Sequence, residues 1–276
     1  MATTHLPVLG GHPQGAASTC RQDAWYAGPL ATLLFLCTAL AYMTWAALQG
    51  NHYYADPYLS PLYSPVIFTD LSAAGAAPSW HAWVGNWPAW WPAALPLSPA
   101  LLILPFPASF RFTCYYYRKA YYRSFSGSPP SCWVSPVSGR NYKGETSLLL
   151  FQNLHRYAMY FAVIFLAILF YDAAVSFYRR GEGFGIGVGS IVLTINFLFL
   201  SSYTFGCHSF RHMIGGGADV MAGKSGTFRH LRWKFSTWFN RRHMAAAWIS
   251  LAWVSLTDVY VRLVSMGAIN DLNSWN

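Results

Sequence analysis

The stretch GSIVLTINFLFLSSYTFGCHSFRHM, residues 189–213, decides how the rest of the chain is read. It carries no Asp, Glu, Lys or Arg before Arg211. The apolar run it belongs to, 186–206, has about the 20 residues a helix needs to cross a bilayer. The run then ends abruptly in Cys207, His208 and His212, three residues with metal-ligand chemistry inside two helical turns. Two explanations stand side by side: the polar end of a helix leaving a membrane, or part of a metal site.

Working outward, four further segments have a comparable length, at 26–49, 95–117, 147–171 and 244–264. The whole chain is 54% hydrophobic and 10% charged, whereas a soluble domain carries about 25% charged residues. Its 13 Trp and 18 Tyr suit the aromatic belts of a membrane interface. The expected fold is therefore all-α, an integral membrane bundle of five transmembrane helices with a Pro- and Trp-rich outer loop at 50–94. In this reading residues 1–25 form an N-terminal tail, 26–264 the transmembrane domain and 265–276 a C-terminal tail. The second span is interrupted by Pro96, Pro99, Pro105 and Pro107, which a membrane helix tolerates only where neighbours re-satisfy the backbone. Met1 to Ala24 is polar and Gly-rich, with none of the apolar core of a cleavable signal peptide.

Charge sets the expected orientation. Residues 111–143 hold six Lys or Arg and 208–243 hold seven, so 13 of the 18 cations fall in two loops, while 50–94 holds none. Short basic loops stay in the cytoplasm, which puts the N-terminus inside and the C-terminus outside, in a multi-pass protein of the plasma membrane. Asp258 and Arg262, four apart on the last helix, are placed to pair near its outer end. The net charge of +9 then belongs to an anionic membrane face, and nucleic acid is not an expected partner. The segment 228–243, FRHLRWKFSTWFNRRH, is basic and aromatic and reads as a helix along the inner surface.

This topology gathers chemistry at one depth. Cys37 lies within the first span, while Cys20, Cys114, Cys132 and Cys207 all fall on the inner, reducing side, which favours free thiols or metal ligands over disulfides. His155 opens the third helix there, Cys207, His208 and His212 close the fourth, and His243 opens the fifth. A lone helix-terminal His is commonly an interfacial residue. The convergence of these Cys and His on one level favours a redox or metal role. Paired His from two helices, His155 with His208 or His212, suit haem b, whereas mixed Cys and His suit a Rieske-type [2Fe–2S] cluster. The H-x₃-H spacing of HSFRH also allows a membrane di-iron desaturase or hydroxylase, but that site needs more His pairs than the chain offers.

Several strings together resemble a known family. CYYYRKAYYRSF, PPSCWV, LLLFQNLHRYAMYF and YTFGCHSFRHMIGG, with RQDAWYAGPL and HYYADPYLSPLYSP, are similar to the five-helix membrane anchor of an actinobacterial-type succinate dehydrogenase, over residues 21 to 245. The resemblance implies a flavoprotein and an iron–sulfur subunit on the cytoplasmic face. It also implies quinone as electron acceptor and, in some members, a Rieske-type [2Fe–2S] cluster where other anchors hold haem. The metal candidates carried over are Cys114, Cys132, His155, Cys207, His208 and His212. The chain has no nucleotide loop or FAD motif, so succinate oxidation is expected in a partner. Quinone reduction needs hydrogen-bond donors beside an apolar slot. Arg21, Trp25 and Tyr26 at the first helix and Tyr116, Tyr117 and Arg118 at the second are the expected quinone-binding residues.

Overall fold

The computed structural model describes residues 15–138, 148–216 and 223–275. The first 14 residues of the N-terminal tail, the loop cations Arg140 and Lys143, and Asn276 lie outside the described residues. In chain order the helices are α1 (Ala27–Gln49), α2 (Pro99–Ile103), α3 (Pro105–Phe112), α4 (Tyr115–Ala120), α5 (Leu148–Val175), α6 (Val188–Phe205), α7 (His208–Gly215), α8 (Gly223–Asn240) and α9 (His243–Ser265). Among the described residues four of them, α1, α5, α6 and α9, are long and apolar enough to cross a membrane.

The expected second span, 95–117, is not one helix. It is divided into α2, α3 and α4. Pro105 has no N–H to give, yet Leu104 keeps helical dihedrals and donates to the Ala100 carbonyl at 2.9 Å, so α2 and α3 follow one another with little interruption. The true break is at Cys114, whose ψ of 134° is extended, after which α4 starts afresh.

The chain forms two compact units, one of residues 1–38 with 114–148, the other of 39–113 with 149–276. In the larger unit α6 packs against α9, and most of the buried residues are small or polar, among them Gly189, Ser190, Asn196 and Thr204 on α6 and Ala247, Ser250, Thr257 and Asp258 on α9, beside Leu193, Tyr203, Leu251, Val254 and Val261. Meanwhile Ile191, Leu198, Ile249 and Leu256 are exposed. Burying small residues and exposing large apolar ones is how a helix pair packs when its solvent is lipid. The Trp253 indole N–H donates across this interface to the Val192 carbonyl at 3.2 Å.

The loop after α1 is more than a surface flap. Its first half holds β1 (Tyr54–Ala55), antiparallel to β2 (Tyr58–Leu59), and buries Tyr53, Leu59, Leu62, Tyr63 and Val66 against Ala46, Ala47 and Val254. Tyr53 and Tyr63 stack at 4.3 Å. Only its second half, with Trp80, Trp83 and Trp90, exposes its aromatics.

Three buried or half-buried carboxylates fasten this end of the unit. Asp258 accepts from Tyr42 Oη at 2.5 Å and from Ser60 Oγ, and pairs with Arg262 Nε at 3.5 Å. Asp172 accepts from Ser64. Asp271 accepts from Tyr58 Oη at 2.6 Å, from Tyr260, and from the Gly189 N–H at 3.0 Å. Burial and the adjoining Asp271 carboxylate push the Tyr58 phenol far above its ordinary pKa.

Candidate functional site

The opposite end of the larger unit carries the imidazoles. At the end of α6, Gly206 is still helical, but Cys207 turns extended (ψ 138°) and α7 begins at His208. The break leaves the Cys207 thiol buried, at 1% exposure, with Sγ 3.1 Å from His155 Nε2 on α5. The other ring nitrogen, Nδ1, is 2.9 Å from Thr113 Oγ1. The Thr113 hydroxyl donates to the Ser109 carbonyl at 2.7 Å, so toward His155 its oxygen accepts. His155 therefore carries its proton on Nδ1 and presents the Nε2 lone pair to the thiol.

Aromatic packing fixes these rings. His155 stacks on Phe110 at 4.7 Å with planes 5° apart, Phe110 leans on Tyr203 at 5.2 Å, and Tyr203 stacks on His243 at 5.0 Å. The Arg111 guanidinium lies 4.9 Å from the Tyr203 ring centre and donates to the Ala247 carbonyl at 3.1 Å and to Ser250 Oγ at 3.0 Å. Gly206 makes the approach of α9 possible: a Cβ there would stand 3.0 Å from His243 Nδ1. His243 is buried and close enough to His155 and His208 to interact with both electrostatically.

Of the six metal candidates, then, the structure brings His155 and Cys207 into contact. His208 and His212 share one face of α7, as their spacing requires, but both are exposed. Local desolvation and the nearby Arg211 charge hold the His208 pKa below its ordinary value. In the smaller unit Cys114 is buried and Cys132 exposed, and both are free thiols. The sequence reading passed over Phe110, Thr113 and Tyr203 and took Arg111 for a loop cation. Their one signal was position: FRFTC runs straight into Cys114, with Phe110 and Thr113 three apart on one helical face.

The quinone candidates all lie in the smaller unit. Arg21 clamps the chain entry to a distant loop: it pairs with Asp23 and donates at 2.9 Å to both Ser131 Oγ and the Cys132 carbonyl. Thr19 Oγ1 reinforces the clamp by donating to the Trp133 carbonyl at 2.6 Å. Trp25 and Tyr26 meet edge to face at 5.9 Å, with Tyr26 57% exposed. Tyr116 is half-buried, and Tyr117 and Arg118 are buried.

Among the described residues no three His, Cys, Asp or Glu are gathered as a metal site. What is gathered is one imidazole and one thiol, half the two-plus-two donor set of a Rieske-type cluster. The chemistry of that half fits. A metal-ligating His characteristically anchors its other ring N–H on an acceptor, as His155 does on Thr113.

Apolar helices facing outward around a hydrogen-bonded interior, with a thiol–imidazole pair at one end, define a multi-span membrane protein. Comparison with known proteins then gives its kind. The family described as actinobacterial succinate dehydrogenase subunit SdhC matches residues 27–267. A solved structure, the Mycobacterium smegmatis Sdh1 complex in the apo form, contains a chain with 38% identity and a TM-score of 0.80, over 96% of both chains. A comparison with curated protein sequences found no match. The chain belongs to the actinobacterial succinate dehydrogenase SdhC family. It is a membrane subunit of a succinate dehydrogenase complex and partners other subunits of that complex.

Proposed function

We propose that this chain is the membrane anchor at which electrons leaving the iron–sulfur subunit reach quinone, and that His155 and Cys207 are ligands of a redox metal centre within it. The observation that carries this reading is the buried Nε2–Sγ pair with its Nδ1–H tied to Thr113. A Rieske-type [2Fe–2S] cluster, when bound, supplies a one-electron redox couple. It is favoured over haem b because Nε2 lies 3.1 Å from a thiol, the other donor type of such a cluster. The chain's own residues then have distinct tasks. Thr113 holds the tautomer, Phe110 and Tyr203 keep water from the imidazoles, and Arg111 binds α3 to α9. His243, stacked on Tyr203, is a further buried imidazole at this end.

Quinone takes up protons as it is reduced, and we assign its donors to Trp25, Tyr26, Tyr116, Tyr117 and Arg118, with Arg21 holding the segment before Trp25. The burial of a cation, Arg118, supports that assignment. Succinate oxidation belongs to the flavoprotein subunit. The basic loops face it and the iron–sulfur subunit on the cytoplasmic side of the plasma membrane, with the N-terminus inside and the C-terminus outside.

Purified complex distinguishes the possibilities. The expected result is a Rieske-like EPR signal on reduction that is lost in His155→Ala and Cys207→Ser, while flavin and the other subunits remain bound. A sharp α-band in the reduced-minus-oxidised spectrum with no such signal would make the cofactor haem. For the quinone assignment, Trp25→Ala and Arg118→Ala are expected to lower quinone reduction while a soluble artificial acceptor is still reduced. Unchanged quinone kinetics in both would place the site elsewhere.

A further inference from the structure

Helix α8 presents apolar residues outward. Its protein-facing side mixes polar and small residues with Trp233, which packs on Gly215: Ser236 Oγ donates to the Phe205 carbonyl at 2.7 Å, Asn240 Nδ2 donates to the Gly206 carbonyl at 2.6 Å, and Gly226 is buried. Its outward side carries Phe228, Leu231, Phe235 and Trp238, each between 52% and 63% exposed. At about 100° per residue these four fall on one stripe, on the far side of the helix from Ser236 and Asn240. Arg232 borders the stripe on one flank and Lys234 and Arg241 on the other, with Arg229 further round beyond Arg232, and all four are exposed. The Arg232 guanidinium bends back over the Phe228 ring at 4.7 Å, and Arg242 over Trp238 at 5.3 Å.

Two facts identify what covers this stripe. Ser236 and Asn240 bond the last carbonyls of α6, a membrane-spanning helix, and α9 begins three residues after α8 ends. The helix is thus fastened at the level where spans enter and leave the bilayer. From 223 to 243 there are six Lys or Arg and no Asp or Glu, a surface complementary to phosphodiesters. An apolar stripe bordered on both flanks by long cations matches acyl chains below and headgroups at the rim, with the cationic stems lying along the apolar surface.

We propose that α8 lies in the leaflet at the imidazole end of the protein, with Phe228, Leu231, Phe235 and Trp238 among acyl chains and Arg229, Arg232, Lys234 and Arg241 binding the headgroup phosphates of anionic phospholipids. This rests on membrane placement alone and holds whatever cofactor the subunit carries. The test uses the assembled complex in its native membrane, with a benzophenone amino acid replacing Leu231 or Phe235. Irradiation is expected to give phospholipid adducts on this chain, identified by mass spectrometry. A cross-link to another subunit would make the stripe a protein interface, and no adduct at either position would mean it faces water; both overturn the proposal. In parallel, Arg229→Gln, Arg232→Gln and Lys234→Gln, singly and together, are expected to lower the anionic phospholipid retained by the purified complex by about fivefold per cation. Zwitterionic lipid should be unchanged. Equal retention of anionic lipid in the single variants and the wild type refutes the headgroup assignment.

Discussion

Asp258→Ala exposes how the carboxylate end of the protein is held. Asp258 is fully buried; its oxygens accept from the Tyr42 and Ser60 hydroxyls, and it forms an ion pair with Arg262 at 3.5 Å. Arg262, itself 4% exposed, also donates to the Asn51 carbonyl at 2.9 Å and lies 5.2 Å over the Trp45 ring. Removing the carboxylate leaves a buried guanidinium without its counter-charge, which costs about 3–5 kcal/mol. The double variant Asp258→Leu with Arg262→Met removes both charges, so the Coulombic part of that cost disappears. The Tyr42 and Ser60 hydroxyls and the Asn51 carbonyl still lose partners, at about 1 kcal/mol or more each. The single variant is therefore expected to be less stable than the double, an outcome opposite to simple addition. Heating the detergent-purified complex and following retention of this subunit by size exclusion measures it, with an apparent Tm for Asp258→Ala lower by about 6 °C or more. A loss under about 1 kcal/mol for Asp258→Ala, or a double variant as unstable as the sum of the two singles, would refute the argument.

Thr113→Val keeps the side-chain shape but removes the acceptor on His155 Nδ1, and it is expected to weaken the metal signature about 10–100-fold, read by EPR intensity against bound flavin. Thr113→Ser should restore it. Gly189→Ala sets a Cβ 2.6 Å from the Tyr58 ring; overpacking of this kind costs about 1–3 kcal/mol, visible in the same heating assay. Arg21→Ala releases the 18–23 segment from the 131–135 loop, so amide exchange in both stretches should accelerate while the larger unit is unchanged.

Much of this was legible because a bilayer imposes a length. The runs at 26–49, 186–206 and 244–264 become α1, α6 and α9 within two residues at either end. The third, 147–171, lengthens to Val175 because its last turn is still apolar enough to continue and Asp172 finds Ser64. The second span misled because apolar content does not reveal where a backbone turns extended, as it does at Cys114. At the site, residue type and depth put His155 and Cys207 on one level, and the structure brings the two into contact. The four-residue spacing of His208 and His212 fixes a shared face but carries no information on which way that face points, and it points outward. Phe110, Tyr203 and Thr113 owe their roles to contacts between residues 42 to 93 positions apart, which no local pattern encodes. The Asp258–Arg262 pair was visible for the opposite reason: its partners are one helical turn apart.

Helix α9 carries both ends of the argument. His243, Ala247 and Ser250 serve the imidazole end, by stacking and by accepting from Arg111, while Asp258 and Arg262 serve the other. Fifteen residues from His243 to Asp258 place the two sites about 22 Å apart along the helix. Energies at sites this far apart and without shared partners add. Loss of the Asp258 carboxylate should then lower the stability of the subunit and leave the signature of any centre at His155 and Cys207 as it is. Loss of the Arg111 bonds should disturb that signature first, because Arg111 touches Tyr203, which in turn holds His243 and Phe110. If Asp258→Ala changed the spectrum of complex that is still assembled, α9 would be acting as a rigid lever between the ends, and the two could not be treated as separate.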